Sequence, residues 1–150
     1  MIKRQATCVV INGVGILIEG KSGIGKSSLA LRLLYQGARL ISDDITVMDV
    51  SGGVLTAKLP ERGQGCLEVR SIGVLSGFSI EDSAPIRLRI VLTPEYPDRL
   101  PYLGAEEIEG IPVPTFYLWG NHPALLEQVL TALNVVNGNL KSISTLIEKE

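Results

Sequence analysis

The chain has 150 residues, of which 45% are hydrophobic and 20% are charged, and its formal net charge is −2. This composition supplies enough apolar side chains for one core and excludes intrinsic disorder and a collagen-like fold, so we treat residues 1–150 as a single domain. No apolar stretch approaches the roughly 20 residues of a membrane-spanning helix. The slight acidity argues against a nucleic-acid binder that relies on massed cations. With no signal-peptide pattern at the N-terminus, we expect a cytoplasmic protein with neither membrane nor nucleic acid as a partner.

Charges and cysteines are placed unevenly along the chain. Residues 1–40 carry six Lys and Arg side chains against one acidic residue, Glu19, and such a basic segment suits a small polyanion such as a nucleotide phosphate. Cys8 and Cys66 lie in apolar runs without Cys-x-x-Cys spacing. We therefore expect two buried thiols rather than a disulfide or a metal site.

The first forty residues predict a β-hairpin followed by a helix. Apolar runs at 6–11 and 14–18 flank an Asn-Gly dipeptide at 12–13, which favours a tight hairpin turn. Residues 26–36 carry Leu and Ala at helical spacing, and Gly37 stands where a helix C-cap is expected.

The rest of the chain predicts short strands and two further helices. The strands are expected at 39–42, 45–50, 54–59, 66–69 and 86–92. Residues 93–114 hold five prolines and little periodicity, so we expect a functional flap or a flexible loop. A helix is expected at 124–136 with Asn121 as its N-cap, and a last helix at 140–148. The predicted fold class is α/β, with a mixed, mostly β core, one helix after a Gly-rich loop and two C-terminal helices.

One segment carries a phosphate-binding motif: Gly20, Lys21, Ser22, Gly23, Ile24, Gly25, Lys26 and Ser27 fit the pattern Gly-x-x-x-x-Gly-Lys-Ser. The motif lies between a predicted strand and a predicted helix, which is the context it requires. The glycines let successive backbone N–H groups point at phosphate oxygens, and the helix adds the positive end of its dipole. Lys26 is then expected to reach the β- and γ-phosphates and Ser27 to ligate magnesium. The alternative is a glycine-rich turn with an incidental lysine.

A phosphate loop with magnesium normally needs a carboxylate at the end of a neighbouring strand. Asp43 and Asp44 follow a predicted strand, and two adjacent carboxylates can divide the work, one holding magnesium and the other accepting a proton from an incoming hydroxyl. The alternative is that the two residues only begin a turn.

Three other features carry weaker local signals. Glu68 and Arg70 fall on the same side of a predicted strand, where a solvent-facing ion pair is the alternative to a functional role. Arg99 lies in the predicted flap, where a surface-loop role is expected on local grounds. His122 is predicted in the first turn of a helix, and Trp119 in the core rather than in a base-stacking platform.

Taken in order, these motifs resemble the catalytic domain of the HPr kinase/phosphorylase family, bacterial enzymes that phosphorylate a serine of the phosphocarrier HPr. The resemblance is to the short form without the N-terminal domain, and it covers most of residues 5–114. It implies a P-loop kinase fold of the HPr kinase type, with ATP and Mg²⁺ as cofactors, HPr or an HPr-like carrier as partner, and a hexameric homo-oligomer.

The resemblance also implies roles for single residues. The first aspartate of the family's pair acts as the base, here Asp43, and the second lies at the metal site, here Asp44. The family's Glu-(Ile/Val)-Arg-Gly-(Leu/Ile)-Gly signature is similar to residues 68–73, which implies that Glu68 helps to bind Mg²⁺ and that Arg70 meets phosphate. The family's Asp-Arg-Leu motif matches residues 98–100, which implies that Arg99 contacts the transferred phosphate.

The chain departs from the family pattern at three places. Gln5 replaces a histidine fifteen positions before the first loop glycine, and Ser28 replaces an acid that often follows the loop serine. Residues 120–123 lack the arginine of a Pro-Gly-Arg segment linked to dephosphorylation. We therefore expect kinase activity, with phosphorolysis the less secure of the two reactions. The alternatives are a nucleotide-binding regulator that has lost turnover, or a related kinase with another peptide or small-molecule target.

Overall fold

The structure, a computed structural model, describes residues 1–97 and 105–143, which form a mixed α/β fold with a large sheet, a small sheet and two helices. The elements in chain order are β1 Ile2–Gln5, β2 Thr7–Ile11, β3 Val14–Glu19, α1 Lys26–Leu34, β4 Arg39–Ser42, β5 Ile45–Ser51, β6 Val54–Lys58, β7 Leu67–Val69, β8 Gly73–Leu75, β9 Ser83–Thr93, β10 Ala105–Ile108, β11 Ile111–Trp119 and α2 Leu125–Val136. In these ranges, no helix is long and apolar enough to cross a membrane.

The large sheet runs in the order β1-β5-β6-β9-β3-β2-β4, with β11 also paired to β9 and β10 paired to β11. Strands β3 and β11 are both parallel to β9. Strand β2 is antiparallel to both β3 and β4, so β4 runs in the same direction as β3. The carboxyl ends of β3, β4, β9 and β11 consequently meet at one edge of the sheet, where α/β proteins usually bind their ligands.

Alternating side chains divide the core between the two faces of the sheet. Ile16 and Ile18 pack on one face with Leu33 of α1 and Val129 of α2, whereas Leu17 packs on the other face. This is the period of two that a strand imposes. Each fully buried aliphatic side chain contributes roughly 1.5–3 kcal/mol, so the strand that leads into the Gly-rich loop is firmly anchored.

The predicted opening hairpin and first helix are confirmed. Asn12 and Gly13 have φ values of 50° and 77°, as a tight hairpin turn requires, and strands β2 and β3 pair across it. Helix α1 ends at Leu34, earlier than predicted, and Tyr35 is its C-cap. Cys8 is buried as predicted, but Cys66 is only half-buried.

The irregular flap predicted for 93–114 is wrong in its second half. Residues 105–108 and 111–119 form the β10–β11 hairpin, and β11 pairs with β9 from Thr115 onward. Pro112 and Pro114 precede Thr115, in the part of β11 that pairs with β10 alone. A strand tolerates proline where one side has no partner, because the missing N–H then breaks no ladder.

The C-terminal predictions have a mixed outcome. Helix α2 confirms the predicted range, but Asn121 is not its N-cap, because Ala124 occupies that position. The side chain that bonds the backbone at the start of the helix is that of His122, whose Nδ1 accepts a hydrogen bond from the Ala124 N–H at 2.9 Å. Of the predicted last helix, residues 140–143 are not helical, and residues 144–148 lie outside the described residues.

Candidate functional site

The Gly-rich motif forms the connection between β3 and α1, as the sequence predicts. Gly20 requires glycine on two counts: its φ is 148°, and a Cβ there would lie 2.8 Å from the Ile24 side chain and 3.0 Å from the Leu92 carbonyl oxygen. Gly25 is the N-cap of α1, with φ of 114° and no side-chain cap. The first-turn amides of α1 are therefore left for a ligand or water.

Lys26 folds back over this loop. Its Nζ donates hydrogen bonds to the carbonyl oxygens of Gly20 at 2.6 Å and Lys21 at 3.3 Å, and the residue is only 7% exposed. The partners of this ammonium are thus neutral carbonyl dipoles. An anion held in the loop would therefore meet a positive charge that is already in place.

Asp43 is fixed by donors from three separate elements. Its Oδ1 accepts hydrogen bonds from Ser27 Oγ at 2.8 Å and Thr7 Oγ1 at 2.9 Å, and its Oδ2 accepts one from the backbone N–H of Glu68 at 3.3 Å. The residue follows β4, whose end lies beside the loop because β4 and β3 share the neighbour β2. A carboxylate with this many donors is held in one orientation.

The neighbouring Asp44 has a different environment. It is exposed, with a left-handed φ of 70°, and its backbone N–H donates to Thr7 Oγ1 at 3.2 Å. Thr7 thus secures both residues of the turn. The structure distinguishes the two aspartates by contact: Asp43 touches the loop serine, whereas the Asp44 side chain faces solvent.

Glu68 and Arg70 are both exposed, on and just after β7, and no ion pair joins these two described residues. Glu68 reaches the site through its backbone N–H. Arg99 lies outside the described residues. The structure thus brings Lys26, Ser27 and Asp43 together with the backbone of Glu68.

The oxygen atoms around Ser27 fit magnesium. Within the described ranges, no group of three or more His, Cys, Asp or Glu side chains is arranged to hold a metal ion. Mg²⁺ bound with a nucleotide needs only one or two protein oxygens, because phosphates and water complete its octahedron. The hydroxyl of Ser27 is an oxygen ligand of that kind. Two further carboxylates belong to residues next to its partner Asp43, because Asp44 follows Asp43 in the chain and the backbone N–H of Glu68 donates to Asp43.

An open groove of about 850 Å³ runs beside these groups. Its wall includes Asp43 and Glu68, apolar side chains such as Ile45, and the cationic Lys3 and Arg62. The Asp43 carboxylate therefore lies on the wall of an open groove.

Two parts of the site have no clear sequence signal. In the sequence, Thr7 is one more residue that favours a strand within an apolar run, and nothing marks it as a functional residue. Glu19 ends β3 directly before the loop, and its carboxylate binds Arg4 Nε at 2.6 Å and Arg89 Nη2 at 2.6 Å. Burial opposes the charge of Arg89, but the carboxylates of Glu19 and Glu106 outweigh it and hold the pKa of Arg89 above its usual range. An acid in an apolar strand beside a Gly-rich loop is the one hint of this network.

A large mixed sheet with two helices, in which one inner strand leads through a Gly-x-x-x-x-Gly-Lys-Ser segment into a helix, defines a mixed α/β protein. The sequence profile of the family described as "HPr Serine kinase C-terminal domain" matches residues 2–98. The chain belongs to this family.

Individual relatives agree with that assignment. The HPr kinase/phosphorylase of Clostridium novyi (strain NT) is 40% identical over 103 residues, which is 65% of this chain and 34% of that protein. The HPr kinase/phosphorylase of Brevibacillus brevis is 41% identical over 78 residues, or 51% of this chain and 25% of that protein. The chain thus spans about a quarter to a third of the length of the curated relatives it matches.

A solved structure supports the fold over nearly the whole chain. The structure titled "Structure of the Hpr(Ser) kinase/phosphatase from Coxiella burnetii" superposes with a TM-score of 0.82 at 25% sequence identity, covering 93% of this chain and 98% of that one. The mixed α/β fold with a large sheet and two helices is therefore shared with that protein.

The residues that depart from the family pattern lie close to the site. Gln5 is exposed and pairs with Ile45, two residues after Asp43. Ser28 is exposed in the first turn of α1, a turn without an acidic residue. Gly120 lies against the loop, since a Cβ there would be 3.0 Å from the Ile24 carbonyl oxygen.

Proposed function

We propose that this chain is an ATP-dependent protein serine kinase that phosphorylates a serine of HPr or an HPr-like phosphocarrier. The observation that carries the proposal is the hydrogen bond between Ser27 of the loop and Asp43 beside the open groove. It couples a phosphate-binding element to a carboxylate that an acceptor can reach. Membership of the family and relatives named HPr kinase/phosphorylase support the same activity.

The loop from Gly20 to Ser27 would hold the ATP phosphates. Its N–H groups and the amino end of α1 supply partial positive charge, and Lys26 adds a full charge to the β- and γ-phosphates. Ser27 would hold Mg²⁺ together with Asp44 and Glu68, the two carboxylates that the family resemblance assigns to the metal, and the ion would neutralise charge on the phosphates when bound.

Asp43 would orient and deprotonate the acceptor serine. Its two oxygens are held by Ser27, Thr7 and the Glu68 N–H, so the orientation of this groove-lining carboxylate is fixed. The serine hydroxyl would donate its proton to Asp43 as its oxygen attacks the γ-phosphorus and the bond to the bridging oxygen of ADP breaks. Most of the rate then comes from positioning and charge stabilisation.

Two arginines would complete the phosphate site. Arg70 follows β7 and is exposed, so its guanidinium is free to turn toward a phosphate. Arg99 is proposed on the Asp-Arg-Leu match alone. Reversal by inorganic phosphate, a hexameric assembly and a cytoplasmic location stay predictions.

The proposal is tested by incubating the protein with Mg²⁺, ATP and an HPr carrier and mapping phosphoserine by mass spectrometry. We expect one phosphoserine, which is lost with Lys26→Ala and also when the acceptor serine of the carrier is replaced by alanine. Tight ATP binding without carrier phosphorylation would contradict the proposal and favour a regulator or a kinase with another target.

A further inference from the structure

Three aromatic side chains form a cluster on the side of the loop away from Asp43. The ring centroid of Tyr96 lies 5.1 Å from that of Trp119 and 5.8 Å from that of His122, and the Trp119 and His122 centroids are 6.3 Å apart. Tyr96 is 64% exposed, while the other two are half-buried. A ring this exposed contributes little to the core, and its faces are accessible to a stacking partner.

The chain next to the cluster lies directly against the Gly-rich loop. Trp119 ends β11, and the next residue, Gly120, packs so closely that an added Cβ would be 3.0 Å from the Ile24 carbonyl oxygen. The Gly120 N–H also donates to the Thr93 carbonyl oxygen at 3.0 Å, which ties the end of β11 to the end of β9. Tyr96 follows three residues after Thr93.

Strand order places the cluster and Asp43 on opposite sides of the loop. The loop follows β3. On one side of β3 lie β2 and then β4, and Asp43 comes directly after β4. On the other side lie β9, which precedes Tyr96, and then β11, which precedes His122. All four of these strand ends meet at one edge of the sheet. In ATP the transferable phosphate and the base are at opposite ends of the molecule. With the γ-phosphate toward Asp43, the base extends toward the cluster.

The Nε2 atom of His122 is a suitable hydrogen-bond donor to a nucleobase. Its Nδ1 accepts the Ala124 N–H at 2.9 Å, so the neutral ring carries its proton on Nε2. The cluster thus combines aromatic faces for stacking with one hydrogen-bond donor, as nucleobase sites commonly do.

We propose that Tyr96, Trp119 and His122 bind the base of the nucleotide whose phosphates occupy the loop, an inference that rests on the proposed nucleotide role of that loop. Tyr96, as the most exposed ring, stacks on the base, and Trp119 and His122 support it.

The test separates the base from the phosphates. Isothermal titration calorimetry in Mg²⁺ would compare ATP with inorganic tripolyphosphate, which has the phosphates but no base. We expect Tyr96→Ala to weaken ATP binding at least about fivefold and to leave tripolyphosphate binding within about twofold. Tyr96→Phe keeps the ring and should bind ATP like the parent, as should Tyr35→Ala, which removes an 82% exposed ring at the far end of α1.

A second readout uses Trp119, the one tryptophan of the sequence. ATP should change its fluorescence, whereas tripolyphosphate should change it much less. Two results together would contradict the base site: Tyr96→Ala weakens the binding of ATP and of tripolyphosphate equally, or weakens neither, and ATP changes the fluorescence no more than tripolyphosphate does. The phosphate-binding role of the loop would not be affected by these results. If neither ligand binds the parent protein, the nucleotide role itself fails, and the inference fails with it.

Discussion

The hydroxyl of Ser27 donates a hydrogen bond to Oδ1 of Asp43 across 2.8 Å. This contact joins the first turn of α1 to the turn after β4, and it exists because β2 lies between β3 and β4 in the sheet. Thr7 of β2 donates to the same carboxylate oxygen, so the strand that brings the two elements together also fixes their contact. The contact between Ser27 and Asp43 is thus a direct product of strand order.

Thr7 should act as a positioning residue for Asp43. Thr7→Val keeps the side-chain volume but removes the hydroxyl. That hydroxyl donates a hydrogen bond to Asp43 and accepts one from the Asp44 N–H. We expect kcat for carrier phosphorylation to fall roughly tenfold, in line with the loss of a hydrogen bond to a charged group, with KM for ATP nearly unchanged. Steady-state kinetics would measure both constants.

Two matched variants show whether that effect is specific. Thr7→Ser restores the hydroxyl and should restore most of kcat. Thr46→Val removes another buried hydroxyl, one that bonds the Ala6 carbonyl oxygen rather than Asp43, and should lower stability without lowering kcat. Equal kcat losses for Thr7→Val and Thr46→Val would mean that Thr7 is only structural.

Lys26 should dominate phosphate binding. Lys26→Ala removes the ammonium that lies over the loop, and we expect ATP affinity to fall about 100-fold because charge-assisted hydrogen bonds to two phosphates are lost. Equilibrium dialysis with ATP and Mg²⁺ would measure the change. Lys141→Ala, at an exposed position, is the matched control, and an equally small effect of both substitutions would argue against phosphate binding by Lys26.

The pair between Glu19 and Arg89 should stabilise the strands that carry the loop. The two side chains are only 10% and 12% exposed, so Arg89→Met leaves a buried carboxylate with Arg4 as its remaining cation. We expect the free energy of unfolding to fall by about 3 kcal/mol, measured by urea denaturation. Arg87→Met, two residues earlier on the same strand and exposed, should change it by less than about 0.5 kcal/mol; similar losses for the two would contradict this role of the pair.

The two thiols should differ in reactivity. Burial raises the pKa of the Cys8 thiol to about 12, and alkylation needs the thiolate. At pH 8 we expect iodoacetamide to label half-buried Cys66 and to spare Cys8 until the protein unfolds, as measured by mass spectrometry. Cys66→Ser should remove all labelling of the folded protein, and rapid labelling of folded Cys8 would show that its burial is incomplete.

Local patterns predicted the parts of the molecule that local forces determine. The turn at 12–13, helix α1 and the Gly20–Ser27 loop each depend on neighbouring residues, and the structure places all three as expected. The adjacency of Asp43 to the loop was foreseen from the position of the aspartate pair after a strand. No pattern predicted that Asp43 is the aspartate that touches Ser27; the family resemblance implied only that Asp43 is the base and that Asp44 lies at the metal site.

Other parts depend on contacts between distant residues. The bond from Arg89 to Glu19 spans 70 positions and that from Thr7 to Asp43 spans 36, and no local pattern identifies the partner in either bond. The β10–β11 hairpin was missed because Pro112 and Pro114 mask its strand pattern. The N-cap prediction failed because the His122 ring, rather than the expected Asn121, bonds the helix start.

The decisive experiment is a single-turnover rapid-quench measurement of phosphoryl transfer from radiolabelled ATP to the HPr carrier, with Asp43→Asn. Asparagine retains an oxygen that can accept the bonds from Ser27 and Thr7, but it cannot take the serine proton. We predict at least about a 100-fold slower transfer step, with the Kd for ATP within about threefold of the parent value and Asp49→Asn behaving like the parent. Transfer by Asp43→Asn within tenfold of the parent rate would contradict the assignment of Asp43 as the base.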